Sequence, residues 1–255
     1  MNRNMIPYVL GALIVGVVGV LVGDFALQWQ PVPEGVPLRT PLAYVSAILL
    51  IGSAVSATLS ANGSRLAALV LGLFYLLWVL LLHTPRVAAH PADLGIWLGL
   101  AESMALTVGG LLAWNASAPE GRPAYARAGQ ILFGACLLLF GSTHFVYADF
   151  SAGMIPKWMP APMFWVYLTG CGHVAAGLSI MSGIASRLAA TLLTAMMGCF
   201  VLLLHIPRVL ADPGNRVEWT MLGMSIALTG AAWLVRSTVT PQSMTTSQSV
   251  VHLPA

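Results

Sequence analysis

Charge is what this chain has least of: 8 acidic and 11 basic side chains among 255 residues, 7% of the total, against 58% hydrophobic. So few charges cannot cover a water-soluble surface of this size, which excludes an ordinary soluble globular domain. Cysteine is nearly as scarce. Cys136, Cys171 and Cys199 stand apart without a Cys-x-x-Cys pair, which speaks against thiol-disulfide chemistry. There is no basic run, so the net charge of +3 and the pI near 9.0 reflect arginines at segment ends and point away from nucleic acid. Missing too are His-Glu-x-x-His, phosphate-binding loops, dinucleotide glycine turns and Gly-x-Ser-x-Gly elbows, leaving no metal, nucleotide or haem motif to name as a cofactor site.

What is abundant is the apolar run. Stretches of about 20 residues, enough to cross a hydrocarbon core of about 30 Å, recur along almost the whole chain. The alternation of a membrane barrel is absent, so these runs satisfy their backbones as helices. The expected fold is an all-α membrane protein with eight transmembrane helices, over 6–27, 42–60, 65–83, 95–114, 128–148, 162–181, 187–205 and 218–236. The first run is read as a membrane helix and not a signal peptide, because it is long and no small-residue cleavage site follows in "DFALQWQPVPEG".

The runs repeat. Residues 64–107 set against 186–229 without a gap match at 22 of 44 positions, including "SRLAA", His83/His205, Pro85/Pro207, Arg86/Arg208, Trp97/Trp219 and "ALT". The polar matches carry the weight, since apolar ones arise easily by chance. The chain therefore reads as a duplicated four-helix unit, 1–118 and 128–237, with a cytoplasmic linker at 119–127 and a disordered polar tail at 238–255. Four spans per unit is an even number, so both copies enter from one side as two parallel-repeat bundles about an axis along the membrane normal. Lys and Arg divide almost evenly between the two sides. Shorter connections with arginines close to the helix ends favour N-in and C-in topology in a cell inner membrane.

"GSTHFVYADFSAGMIPKWMPAPMFWVYLTGCGHVAAGLSIMSGIASRLAA", continuing to "LLLHIPRV", resembles the DoxX-like membrane proteins. The resemblance covers 129–236, and reaches 11–114 mainly through the internal repeat. It implies four-helix bundles and a quinone-linked or redox-accessory role, since relatives include a subunit of a thiosulfate:quinone oxidoreductase. After the "LTG" of the second helix that family often carries Glu where this chain has His173, so chemistry assigned to that Glu does not transfer unaltered.

Several residues could carry chemistry. Glu102 is expected about 10 Å below the interface, a depth at which a carboxylate needs a partner or a wet cavity; its repeat mate is Met224. With His173 it is the candidate for proton transfer, while interhelical packing is the structural reading of both. His83/Arg86 and His205/Arg208 are candidate ligand-binding pairs for an anionic or carbonyl head group; structurally, they and the following Pro would cap and stop a helix. Asp24, expected one turn inside the end of the first helix, and its counterpart His144 complete the binding set. In "MIPKWMPAPM" the methionines suit Cu(I), but Trp158 and Trp165 read as interfacial anchors, as do Trp29, Trp97 and Trp219.

Two classes of function emerge. The first is a redox-accessory or quinone-linked subunit acting at the outer face. The chain holds no electron carrier of its own, so as an enzyme it needs a redox enzyme partner beside the lipid bilayer. The second is a small-molecule or lipid transporter or binding protein, or a structural subunit packed against a membrane enzyme.

Overall fold

The computed structural model describes residues 3–118 and 121–239. The tail from residue 240 onward, and residues 119–120 of the linker, lie outside the described residues. The described residues are helical, with no strand among them. Seven helical stretches are long and apolar enough to cross a membrane: Arg3–Val22, Arg39–Leu59, Ala61–Ala89, Leu94–Ala116, Pro123–Val146, Pro162–Ser182 and Ser186–Ala211. That is the pattern of a multi-pass membrane protein.

The helices are α1 (Ile6–Val22), α2 (Arg39–Leu59), α3 (Ala61–Trp78), α4 (Thr84–Ala89), α5 (Leu94–Ala116), α6 (Pro123–Val146), α7 (Ala148–Met154), α8 (Pro162–Ser182), α9 (Ser186–Phe200), α10 (Ile206–Ala211) and α11 (Arg216–Thr238). α11 is 23 residues long, yet it carries Gly, Ser, Thr and Trp where the others carry Leu and Val. Its position explains this. It packs against α1, α5 and α9, so small and hydroxyl-bearing residues that let helices approach replace lipid-facing aliphatics. At Gly11 of α1 an added Cβ would lie 2.4 Å from the backbone nitrogen of Ala227 and 2.4 Å from the carbonyl of Gly223. Glycine alone fits that crossing.

Within the first half α1 packs on α2, α2 on α3 and α3 on α5; within the second α6 packs on α8, α8 on α9 and α9 on α11. Between the halves, α1 meets α11 and α5 meets α6, with α5 against α11 in the middle.

Proline does not stop the third helix of either half. Val79–His83 and Val201–His205, both "VLLLH", form single π-helical turns, after which the chain continues into α4 and α10 through Pro85 and Pro207. A prolyl ring clashes with the carbonyl four residues back and donates no hydrogen bond; a widened turn absorbs both defects. The carbonyl of Val79 then receives the backbone N–H and, at 2.8 Å, the hydroxyl of Thr84.

The first helix is shorter than expected. Gly23 adopts the left-handed conformation (φ 69°) and closes α1 on the carbonyl of Gly19. Asp24 therefore lies beyond the helix, where it pairs with Arg39 at the start of α2 and with Arg216 at the start of α11 (3.3 Å). The next segment turns back into the bundle. Phe25, Ala26, Trp29 and Gln30 are buried, and the Gln30 amide donates to Ser46 at 2.7 Å. Trp29 is thus a core residue, not the interfacial anchor its position in sequence suggests.

Candidate functional site

His83, Trp29 and Glu102 meet where this re-entrant segment crosses α5. His83 is 2% exposed and its Nε2 donates to the carbonyl of Trp29 at 3.0 Å, since a carbonyl only accepts. The Trp29 indole Nε1 donates to Oε2 of Glu102 at 2.6 Å. The two groups of Trp29 thus hold the repeated histidine and the intramembrane carboxylate together. Leu27, at the head of the Leu27–Trp29 3-10 turn, sits at φ 50°, a left-handed conformation costing a non-glycine residue on the order of 1–2 kcal/mol. Gly99 makes room for the imidazole: an added Cβ would lie 2.9 Å from His83 Cε1.

α3 and α5 run antiparallel, and the approach of Gly72 to Gly110 and of His83 to Gly99 fixes their register. It sets Ser103 level with Trp78 and Val79, and Tyr75 level with Thr107. From His83 to Tyr75 is eight residues, about 12 Å of helix. Along this column Trp78 Nε1, Tyr75 Oη and Ser103 Oγ are buried and find no hydrogen-bond partner among the described residues. Tyr75 and Trp78 pack edge-to-face with ring centroids 4.8 Å apart, and Tyr8 stands edge-on to Tyr75 while donating to the carbonyl of Leu106 at 2.7 Å. Glu102 keeps partial exposure. Three unspent donors in a membrane core are costly unless a ligand or a rearrangement uses them.

The same positions of the second half are different. In the ungapped repeat Tyr75, Trp78 and Glu102 become Met197, Phe200 and Met224. Arg208 is held by Glu218 through two bonds, Nε to Oε2 at 2.8 Å and Nη2 to Oε1 at 2.6 Å, whereas the residue corresponding to Glu218 in the first half is Ile96. The Arg86 guanidinium is exposed and makes no hydrogen bond or ion pair among the described residues. His205, 8% exposed, has its Nδ1 buried without a partner there.

His144 and His173 are the second cluster. Their ring centroids are 5.0 Å apart, although their positions along α6 and α8 suggest different depths. Both side chains lean back toward the N-terminus of their own helix, His144 Nδ1 donating to the carbonyl of Phe140 at 2.8 Å and His173 Nδ1 to that of Thr169 at 2.9 Å. The helices are antiparallel, so the two rings lean toward each other. Neither joins the Trp29 cluster.

Asp24 belongs to an ionic cluster at the same end of the bundle. Burial works to raise its carboxyl, but the Phe25 N–H, Arg39 and Arg216 outweigh it and hold it below the usual carboxylate range. Of the residues singled out from the sequence, His83 and Glu102 are brought together, His144 and His173 are brought together, and Arg86 stands open while Arg208 is closed. Tyr75, Trp78 and Ser103 are not singled out by the sequence, and Trp29 reads there only as an interfacial anchor. The one signal was that Tyr75 and Trp78 are polar-capable aromatics where the repeat has Met197 and Phe200.

A family model described as a domain of unknown function (DUF8561) matches residues 133–236. No curated protein and no solved structure matches the chain.

Proposed function

We propose that the chain is a DoxX-like, eight-span inner-membrane protein of two parallel four-helix units, 1–118 and 128–237, with both termini cytoplasmic. In this reading its first unit binds a quinone-like head group at the outer face, and the protein serves as a redox-accessory or quinone-linked subunit beside a partner enzyme. The layout is supported by the identical π turns, by the matched packing of α1 with α11 and of α6 with α5, and by a family match confined to the second half. Counting α11 as the eighth span rests on its length and on its burial between other helices.

The observation that carries the functional reading is the inequality of the halves. The first keeps Arg86 open, Glu102 partly exposed, and the Tyr75, Trp78 and Ser103 donors unused; the second keeps the serine as Ser225 but has Met197, Phe200 and Met224 at the other three places and closes Arg208 with Glu218. A quinone carbonyl accepts hydrogen bonds, and the chemistry of these residues suits it: Trp78 Nε1, Tyr75 Oη and Ser103 Oγ are donors inside the bundle, Glu102 beside them can take or give a proton, and Arg86 at the exposed end supplies positive charge on the path in. When bound, a quinone would supply the two-electron chemistry this chain lacks. Glu102, held by Trp29, would be the protein group that exchanges protons, with His83 fixing the turn that presents Trp29.

The structural-subunit reading has its own support. Tyr75, Trp78 and Ser103 are sealed from the surface, while two open hollows of about 260 Å³ lie elsewhere, one lined by Pro91, Ala92, Leu94, Trp97 and Leu139 and the other between α2 and α3. Copurification from the native membrane, with the lipid extract analysed for quinone, separates the readings. Stoichiometric quinone that is lost in Glu102→Gln supports the site; a tightly held partner enzyme with no quinone supports a packing role.

A further inference from the structure

We propose that residues 24–38, the segment between α1 and α2, form a hinged lid over the outer end of the Tyr75–Trp78–Ser103 column, latched to the second unit through Asp24 and Arg216. The proposal rests on the reading of that column as a ligand site. Tyr75, Trp78 and Ser103 are each 2% exposed or less, so no head group reaches them while their cover stays in place. Part of that cover is not a helix of the bundle but the Leu27–Trp29 turn, which packs on α5. Trp29 belongs to the same buried cluster as Tyr75 and Trp78; its indole bonds Glu102, next in the chain to Ser103, and its carbonyl takes the bond of His83. Few other bonds seat the segment. The Gln30 amide donates to Ser46, and Arg39 holds Asp24 and, at 3.4 Å, the carbonyl of Val32. Both ends of the segment are left-handed bends, Gly23 (φ 69°) closing α1 and Leu38 (φ 58°) opening α2, and hinges are element-terminal positions of this kind. Leu27 (φ 50°) inside it is a third, a conformation that leucine keeps only while the contacts around it hold.

The second unit carries the same hinge with its segment outward. Ala161 (φ 51°) opens α8 as Leu38 opens α2, but Phe150 and Trp158 of the segment before it are exposed, and His205, in the place of His83, makes no hydrogen bond among the described residues. A unit of this kind therefore holds together without a tucked turn. Swinging the turn out of the first unit removes the indole from Glu102 and the carbonyl from His83 in one motion, which frees a carboxyl and an imidazole N–H for an incoming carbonyl. Arg216, at the start of α11, holds Asp24 at 3.3 Å, so the lid is tied across the two units and a movement of the second reaches it directly.

The test uses the full chain in detergent with Cys171→Ser and Cys199→Ser, keeping Cys136, buried in α6, as the reporter of global unfolding. Ala26→Cys places a second thiol under the lid, where Ala26 is buried. Modification by a water-soluble maleimide, read by mass spectrometry of each peptide, gives both rates in one molecule. A lid that opens separately from the bundle predicts that Ala26→Cys reacts about tenfold or more faster than Cys136. Arg216→Gln should raise the Ala26→Cys rate by a further factor of about three, the range for a partly exposed ion pair, and leave Cys136 unchanged. A saturating short-chain quinone analogue should slow the Ala26→Cys rate by holding the lid closed over the head group. Equal rates for Ala26→Cys and Cys136, or an Ala26→Cys rate that Arg216→Gln leaves unchanged, would overturn the lid. A fast rate that rises in Arg216→Gln but ignores the analogue upholds the lid and counts against quinone as the head group beneath it, so the two failures are distinct.

Discussion

Trp29 Nε1 donates to Glu102 Oε2 at 2.6 Å, tying a turn beyond the first helix to a carboxyl inside α5 across 73 positions of sequence. Trp29→Phe keeps the aromatic packing and the backbone carbonyl that His83 uses, and removes this one donor. A hydrogen bond to a group that can carry charge is worth about 1.5–3 kcal/mol, so the variant should lose stability in that range in a denaturant titration in detergent. Glu102→Gln leaves the indole an acceptor and should cost much less. Equal losses from the two would mean that the indole bond is not what holds the turn.

Asp24 sets a pH dependence with a definite sign. Its folded carboxyl lies below the usual value of 3.8, held there by Phe25 N–H, Arg39 and Arg216 against the effect of burial. A depressed folded pKa gives stability that is fully present above the unfolded value and is lost as pH falls through the folded one. Asp24→Asn should therefore be less stable than wild type at pH 7, by about 1 kcal/mol for a partly exposed ion-pair cluster. The difference should close below about pH 4, the ordinary carboxylate range. Thermal melts of both proteins from pH 3 to pH 8 measure it.

Much of the architecture is legible in the sequence because apolar runs are local and the polar matches recur at one fixed offset. The shared "VLLLHxPRV" alone marks equivalent places in the two halves. The π turns were not legible, since proline reads equally as a helix stop, and only the packing of the residues beyond it decides that the helix continues. Trp29 reads as an anchor because an aromatic next to a membrane helix usually sits at the interface; nothing local says that its segment folds inward. His144 and His173 stand at different depths by their Cα positions. Side chains in helices lean toward the N-terminus, and in antiparallel neighbours that closes the gap.

Gly99 is the tolerance point of the site. Gly99→Ala puts a methyl 2.9 Å from Cε1 and 3.1 Å from Nδ1 of His83, and the ring must shift off the Trp29 carbonyl. Overpacking of this kind costs about 1–3 kcal/mol. Gly52→Ala, whose Cβ meets nothing within 4 Å, serves as the control and should be neutral or slightly stabilising in the same thermal assay.

Arg86 and Arg208 should respond differently to the same substitution. Arg208→Ala strands Glu218 and should lower stability by about 1 kcal/mol, discounted for its partly exposed setting. Arg86→Ala breaks no pair and should leave the melting curve unchanged. If both variants melt alike, the two motifs are equivalent caps and the open-arginine reading of the first unit fails.

Binding of a short-chain quinone analogue, followed by quenching of tryptophan fluorescence, compares the two units within one molecule. Arg86→Ala and Glu102→Gln change the first unit; Arg208→Ala and Met224→Gln change the matching positions of the second. A first-unit site predicts saturable binding by wild type that weakens about tenfold or more in the first pair, equivalent to losing about 1.4 kcal/mol, and stays within about twofold in the second. Unsaturable quenching by wild type, or equal weakening in both pairs, would contradict it.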